Sequence, residues 1–140
     1  MLISKELNAG YWALRFAFGL GPLLAGIDKF TNLLTNWEKY LSPVAQRALP
    51  VTATTFMHFV GVIEIIVGLG ILLGATRVLG YVAMLWLWGI AVNLVLTGTY
   101  YDIAVRDILL GMGAYALARV TEARRSVLFV ERATETHRAA

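Results

Sequence analysis

Phe56-Met57-His58-Phe59-Val60-Gly61-Val62-Ile63-Glu64-Ile65-Ile66-Val67-Gly68 is an apolar stretch with one carboxylate near its middle. It belongs to a run of about 18 residues, Phe56–Leu73, close to the length that crosses the ~30 Å hydrocarbon core of a bilayer. A carboxylate at that depth costs about 2.5 kcal/mol or more on insertion scales and is tolerated where it faces other protein or water. Glu64 therefore marks either the centre of a site or the centre of a packing network.

The rest of the chain gives that run company. The 140 residues are 59% hydrophobic and 15% charged, with mean hydropathy +0.69. Soluble domains run nearer 45–50% apolar and about 25% charged, so the composition is that of a membrane protein. Four runs approach spanning length: Tyr11–Phe30, Phe56–Leu73, Val78–Thr97 and Ile103–Val120. The expected fold class is all-α, a bundle of four transmembrane helices at 11–30, 56–73, 78–97 and 103–120. One membrane domain covers 1–120, and 121–140 is a basic cytoplasmic tail that continues helically. The start does not read as a signal peptide, because Glu6 follows Lys5 and Arg15 interrupts the run.

Basic residues set the expected orientation. Lys5, Arg77, Arg119, Arg124, Arg125, Arg132 and Arg138 fall on one side. Lys29, Lys39, Arg47 and Arg106 fall on the other, so both termini are expected in the cytoplasm. The formal charge of +3 is thus a topology signal and the tail an anchor on anionic lipid; nucleic acid is not an expected partner. The short link Gly74-Ala75-Thr76-Arg77 makes the second and third helices expected neighbours. The outer loop 31–55 reads as one or two short amphipathic helices: Thr35-Asn36-Trp37-Glu38 has capping-box form, and Ser42-Pro43 offers an N-cap and first-turn proline.

Helical spacing selects the facing residues. Arg15, Gly19, Pro22, Gly26 and Lys29 share a face of the first helix, and Met57, Gly61, Glu64, Gly68 and Ile71 one of the second. Trp86, Gly89 or Ile90, Asn93 and Thr97 align in the third, and Asp107, Gly111, Ala114 and Ala118 in the fourth. Small residues let helices approach closely in lipid, so Gly19, Gly26, Gly61, Gly68 and Gly111 are the expected packing positions. The stripes then enclose a polar network of Lys29, Glu64, Asn93, Arg106 and Asp107. At ~1.5 Å per residue, all but Glu64 lie within ~6 Å of the outer ends and Glu64 lies ~12 Å down. The result is a shallow polar layer in the outer half, roofed by Trp37–Leu41, with Arg15 snorkelling at the cytoplasmic surface.

Glu64 reads either as a proton-exchanging or ligand-binding carboxylate, or as a structural group held by Lys29, Arg106 or Asn93. The near balance of Lys29 and Arg106 against Glu64 and Asp107 favours the second. Asp28-Lys29 reads as the interfacial end of its helix or as a buried pair. His58, some 600° around the helix from Glu64, reads as a headgroup-level residue; with Glu64 and Lys29 it is the set that could touch a quinone. Trp86 and Trp88 are expected to face lipid or a partner. The absence of cysteine and the presence of only two histidines, His58 and His137, exclude thiol chemistry and argue against a metal or haem held by this chain alone.

Along positions ~12–118 the chain resembles the DoxX family of small four-helix membrane proteins. The resemblance rests on Arg15-Phe16-Ala17-Phe18-Gly19 through Gly26-Ile27-Asp28-Lys29-Phe30, Gly61-x-x-Glu64-x-x-x-Gly68 with Leu72-Leu73-Gly74, and Arg106-Asp107. It implies a multi-pass protein of the prokaryotic cytoplasmic (inner) membrane, often associated with redox proteins and in some members with quinone-coupled thiosulfate oxidation. The expected function is an accessory subunit, with no catalytic residue and no intrinsic cofactor, that docks on a larger, redox-linked membrane complex. Its partners are the lipid bilayer and the other membrane subunits of that complex. The alternative is a quinone-interacting oxidoreductase subunit, with quinone or lipid bound near Glu64. A small transporter fits poorly, because the polar layer is one-sided and the halves do not repeat.

Overall fold

Caps and three left-handed positions punctuate the helices of this chain. The computed structural model describes residues 5–139, without the side chains of Glu131 and of 137–139. In order it has α1 (Lys5–Asp28), a 3-10 turn (Trp37–Tyr40), α2 (Pro43–Ala48), α3 (Ala53–Leu72), α4 (Thr76–Thr97) and α5 (Tyr101–Ala139), with no strand among the described residues. Helices α3 and α4 are each long and apolar enough to cross a membrane. In the other two long helices ionic groups dilute the apolar character: Arg15 and Asp28 in α1, and Arg106, Asp107 and Arg119 in α5.

Local chemistry fixes the boundaries. Asp28 ends α1 two residues before the apolar run does, because its carboxylate turns to the following loop. Asn32 there adopts a left-handed φ of 51°. The 3-10 turn is capped by Asn36, which accepts from Glu38 N at 3.1 Å. Thr35, the first residue of the expected capping box, instead pairs its hydroxyl with Tyr40. Ser42 caps α2 through Ala45 N, with Pro43 in the first turn. The loop therefore holds a 3-10 turn and one short helix, with Leu33 and Leu34 in irregular backbone before them. Thr52 caps α3 through Thr55 N, so that helix starts three residues before its apolar run. Gly74 (φ 108°) and Gly98 (φ 76°) make the turns after α3 and α4 in a backbone region that side chains disfavour. From Arg119 onward no Gly or Pro breaks α5, so it runs unbroken for 39 residues through the point where its hydropathy falls.

The tight pairs are α1 with α3 and α4 with α5; α3 and α4 touch less extensively despite their short link. The α1–α3 seam is antiparallel and built on glycine. A Cβ on Gly26 would sit 2.6 Å from the Gly61 carbonyl oxygen, and one on Gly68 the same distance from that of Gly19. Backbones in that contact leave no room for a methyl group. In the second pair Gly80 packs on Ala114 and Ala118, while Gly111 makes room for the Trp88 indole. Tyr11, Ile71, Ala83, Ala114 and Leu117 form the core where all four long helices meet. Outward, large apolar side chains such as Leu24, Ile66, Leu85 and Leu109 are exposed on every long helix, the reverse of a soluble protein's surface.

Candidate functional site

Register along the glycine seam puts Lys29 and Glu64 together. Each follows a glycine of the close contact by three residues, Gly26 in α1 and Gly61 in α3, so the two side chains extend from adjacent turns. Lys29 Nζ donates to Glu64 Oε2 at 2.5 Å, and both residues are buried. The Trp37 ring closes the pair from the loop side, with its centroid 3.7 Å from the ammonium. The buried indole N–H of Trp86, on α4, lies beside the same carboxylate without closing a hydrogen bond of its own. The site thus draws on α1, the loop, α3 and α4.

Asp28 supports it from the second layer. Its carboxylate, on a buried residue, accepts from Thr31 Oγ1 (2.9 Å), Leu33 N (2.9 Å), Leu34 N (3.0 Å) and the indole Nε1 of Trp37 (2.8 Å). Of the two readings open for Asp28-Lys29, each residue takes a different part: Lys29 forms the buried ion pair and Asp28 organises the loop that covers it.

Asn93, Arg106 and Asp107 do not join the ion pair. Asn93 spends both ends of its amide on the loop: Nδ2 donates to Tyr40 O at 2.6 Å and Oδ1 accepts from Ser42 N at 3.0 Å. Asp107 is buried, but Arg106 pairs with it from a side chain 62% exposed, at 2.9 Å. The expected single network is therefore three separate ties at one end of the bundle. Tyr40 sits between two of them. Its bond with Thr35, aided by nearby Lys39, draws the phenol below its ordinary pKa. Truncating Asn93 to Ala would leave Tyr40 O and Ser42 N without this partner, at a cost of about 1–3 kcal/mol. A lower melting temperature in detergent, with faster proteolysis within 38–50, is the expected result.

His58 stacks on Phe30 (4.8 Å, 14° between planes) beside a shallow cleft with Thr55, Phe59 and Val62. It bonds to neither Lys29 nor Glu64, which pair with each other. Trp86, expected to face lipid or a partner, has a buried indole N–H, and Trp88 donates to Ile108 O at 3.2 Å. Among the described residues no three His, Asp or Glu side chains converge as a metal site would require.

The opposite end carries ties that helical spacing did not disclose. Arg15 does not merely snorkel. Its guanidinium donates to Ile71 O (3.2 Å), which also accepts from Gly74 N (3.1 Å), and to Leu72 O (2.5 Å), capping the end of α3. Tyr11, Thr76 and Thr121 form a hydroxyl chain from α1 through α4 to α5. Hydroxyls in apolar helices are its only signal in the sequence. Arg77 and Arg119 both reach Glu122 beyond it. No family model, curated protein or solved structure matches the chain.

Proposed function

We propose that this chain is a small four-span integral membrane protein that acts as an accessory subunit, docking on and stabilising a larger, redox-linked membrane complex. The observation that carries this reading is the use made of its ionic and amide side chains. Glu64 is held by Lys29, Asp28 by the loop, Arg15 by the carbonyls of α3 and Asn93 by Tyr40 and Ser42. Each joins two elements of the chain, which is what a scaffold needs of polar groups in lipid. The apolar side chains exposed on all four long helices offer surface to lipid and to neighbouring subunits. In this reading the loop end faces outward and both termini lie in the cytoplasm of a prokaryote. The redox link rests on the DoxX resemblance.

The unbonded indole N–H of Trp86 beside Glu64 favours a second reading, in which a quinone carbonyl accepts that donor. Purification from native membranes in mild detergent separates the two. A stoichiometric membrane partner is expected; recovery as a lone, quinone-loaded protein would overturn the accessory reading in favour of the second.

A further inference from the structure

Leu33 and Leu34 are 84% and 73% exposed, yet their backbone is clamped. Both amide N–H groups point inward to the Asp28 carboxylate, at 2.9 and 3.0 Å. The left-handed turn at Asn32 brings the chain round to make those bonds. With their N–H groups held at Asp28, the two side chains are left on the outside of the loop. The two leucines are therefore a rigid apolar tip at the end of α1.

Two features identify what the tip meets. Leu20, Leu24 and Ile27 form an exposed apolar strip along α1, and the exposed Phe30, Leu33 and Leu34 follow it in the chain. From Phe30 to Trp37 there is no ionisable side chain, so nothing in the segment resists entry between lipid headgroups. The aromatic pair Trp37 and Tyr40 follows directly, residue types that favour the level where hydrocarbon meets headgroup.

We infer that Leu33 and Leu34 form a wedge seated in the upper acyl-chain region of the outer leaflet, and that Asp28 is the positioning residue that sets it there. The partner is phospholipid, met through its glycerol and first methylene groups. The inference rests on the reading that the bundle spans the bilayer. It adds a function for the loop: the wedge fixes the depth of α1, and with it the level of the Lys29–Glu64 pair.

The chain contains no cysteine, so single nitroxide labels can be placed at Leu34→Cys, Ile66→Cys and Glu135→Cys of the full-length protein. Collision rates with oxygen and with a water-soluble nickel chelate are then measured in vesicles of phosphatidylcholine and phosphatidylglycerol. Leu34 is expected to collide with nickel several-fold less than Glu135 and somewhat more than Ile66. Asp28→Ala should raise the Leu34 nickel collision rate towards that of Glu135 while Ile66 stays shielded, the sign that the bundle itself is intact. A Leu34 label as open to nickel as Glu135, with Ile66 shielded, overturns the wedge and leaves the spanning reading standing. So does shielding at Leu34 that appears only when a copurifying protein is retained. Nickel access at Ile66 in the otherwise unaltered chain overturns the spanning reading instead.

Discussion

Removing the charge of Glu64 is expected to cost about 3–5 kcal/mol of stability, the range for breaking a buried ion pair by deleting one partner. Lys29 Nζ sits 2.5 Å from Glu64 Oε2, closed over by Trp37. Glu64→Leu therefore strands an ammonium with no exit to water. Glu64→Gln keeps an acceptor for Lys29 and falls at the lower end of the range. Mixed-micelle unfolding measures both variants. The double variant Lys29→Met with Glu64→Leu is expected to recover most of the loss, since apolar replacement of both members of a buried pair is often neutral. If Glu64→Gln instead assembles with unchanged stability while native membranes lose all quinone-linked electron transfer, Glu64 belongs to a reaction and the scaffold reading fails.

The second large effect is expected at the glycine seam. A methyl group on Gly26 would lie 2.6 Å from the Gly61 carbonyl oxygen and 2.9 Å from Ile65 N, both backbone atoms. No side-chain rotation can relieve that overlap, so α1 and α3 must move apart. Overpacking of this kind costs about 1–3 kcal/mol, with Val at position 26 at or above the upper end. The separation also stretches the ion pair one turn away. Gly26→Val should thus abolish most of the additional loss caused by Glu64→Leu, the non-additivity expected of coupled neighbours. Gly10 and Gly89 supply the contrast. Nothing lies within 4 Å of a Cβ at either position, so alanine there is expected to be neutral or to stabilise, by up to about 1 kcal/mol from helix propensity.

How much of this was legible in the sequence depends on whether a feature is set within one helix or by its register against another. The period of 3.6 placed Gly19, Gly26 and Lys29 on one face and Gly61, Glu64 and Gly68 on another, and those faces meet. Ser42-Pro43 announced α2 by local capping chemistry alone. By contrast, Arg15 covers Ile71 O and Leu72 O because the antiparallel offset of α1 and α3 carries it to that level, and no spacing within α1 encodes the offset. Trp86 shares the stripe of Asn93 by helical spacing, and its indole N–H is buried on that side without a hydrogen-bond partner. Asn93 has one amide and two backbone partners fifty residues away, which a loop of unknown path could not reveal. The helical continuation of 121–140 was legible too: hydropathy falls after Val120, but no helix-breaking residue follows, and α5 runs on to Ala139.

The pairing of α1 with α3 and of α4 with α5 bears on how the chain reaches its native state. Each pair joins helices that follow one another along the chain apart from the short α2, so each is a hairpin able to close before the other exists. Contacts of such modest sequence separation form early and quickly. The first hairpin carries its own lock in Lys29–Glu64 and its own end-cap in Arg15. It is complete when residue 72 has been made. The remaining link, Leu73 to Ala75, is the one long-helix connection that crosses between hairpins. Severing the chain there and producing the halves together should still yield the bundle, whereas severing it between Asn32 and Trp37 divides a unit that assembles as one.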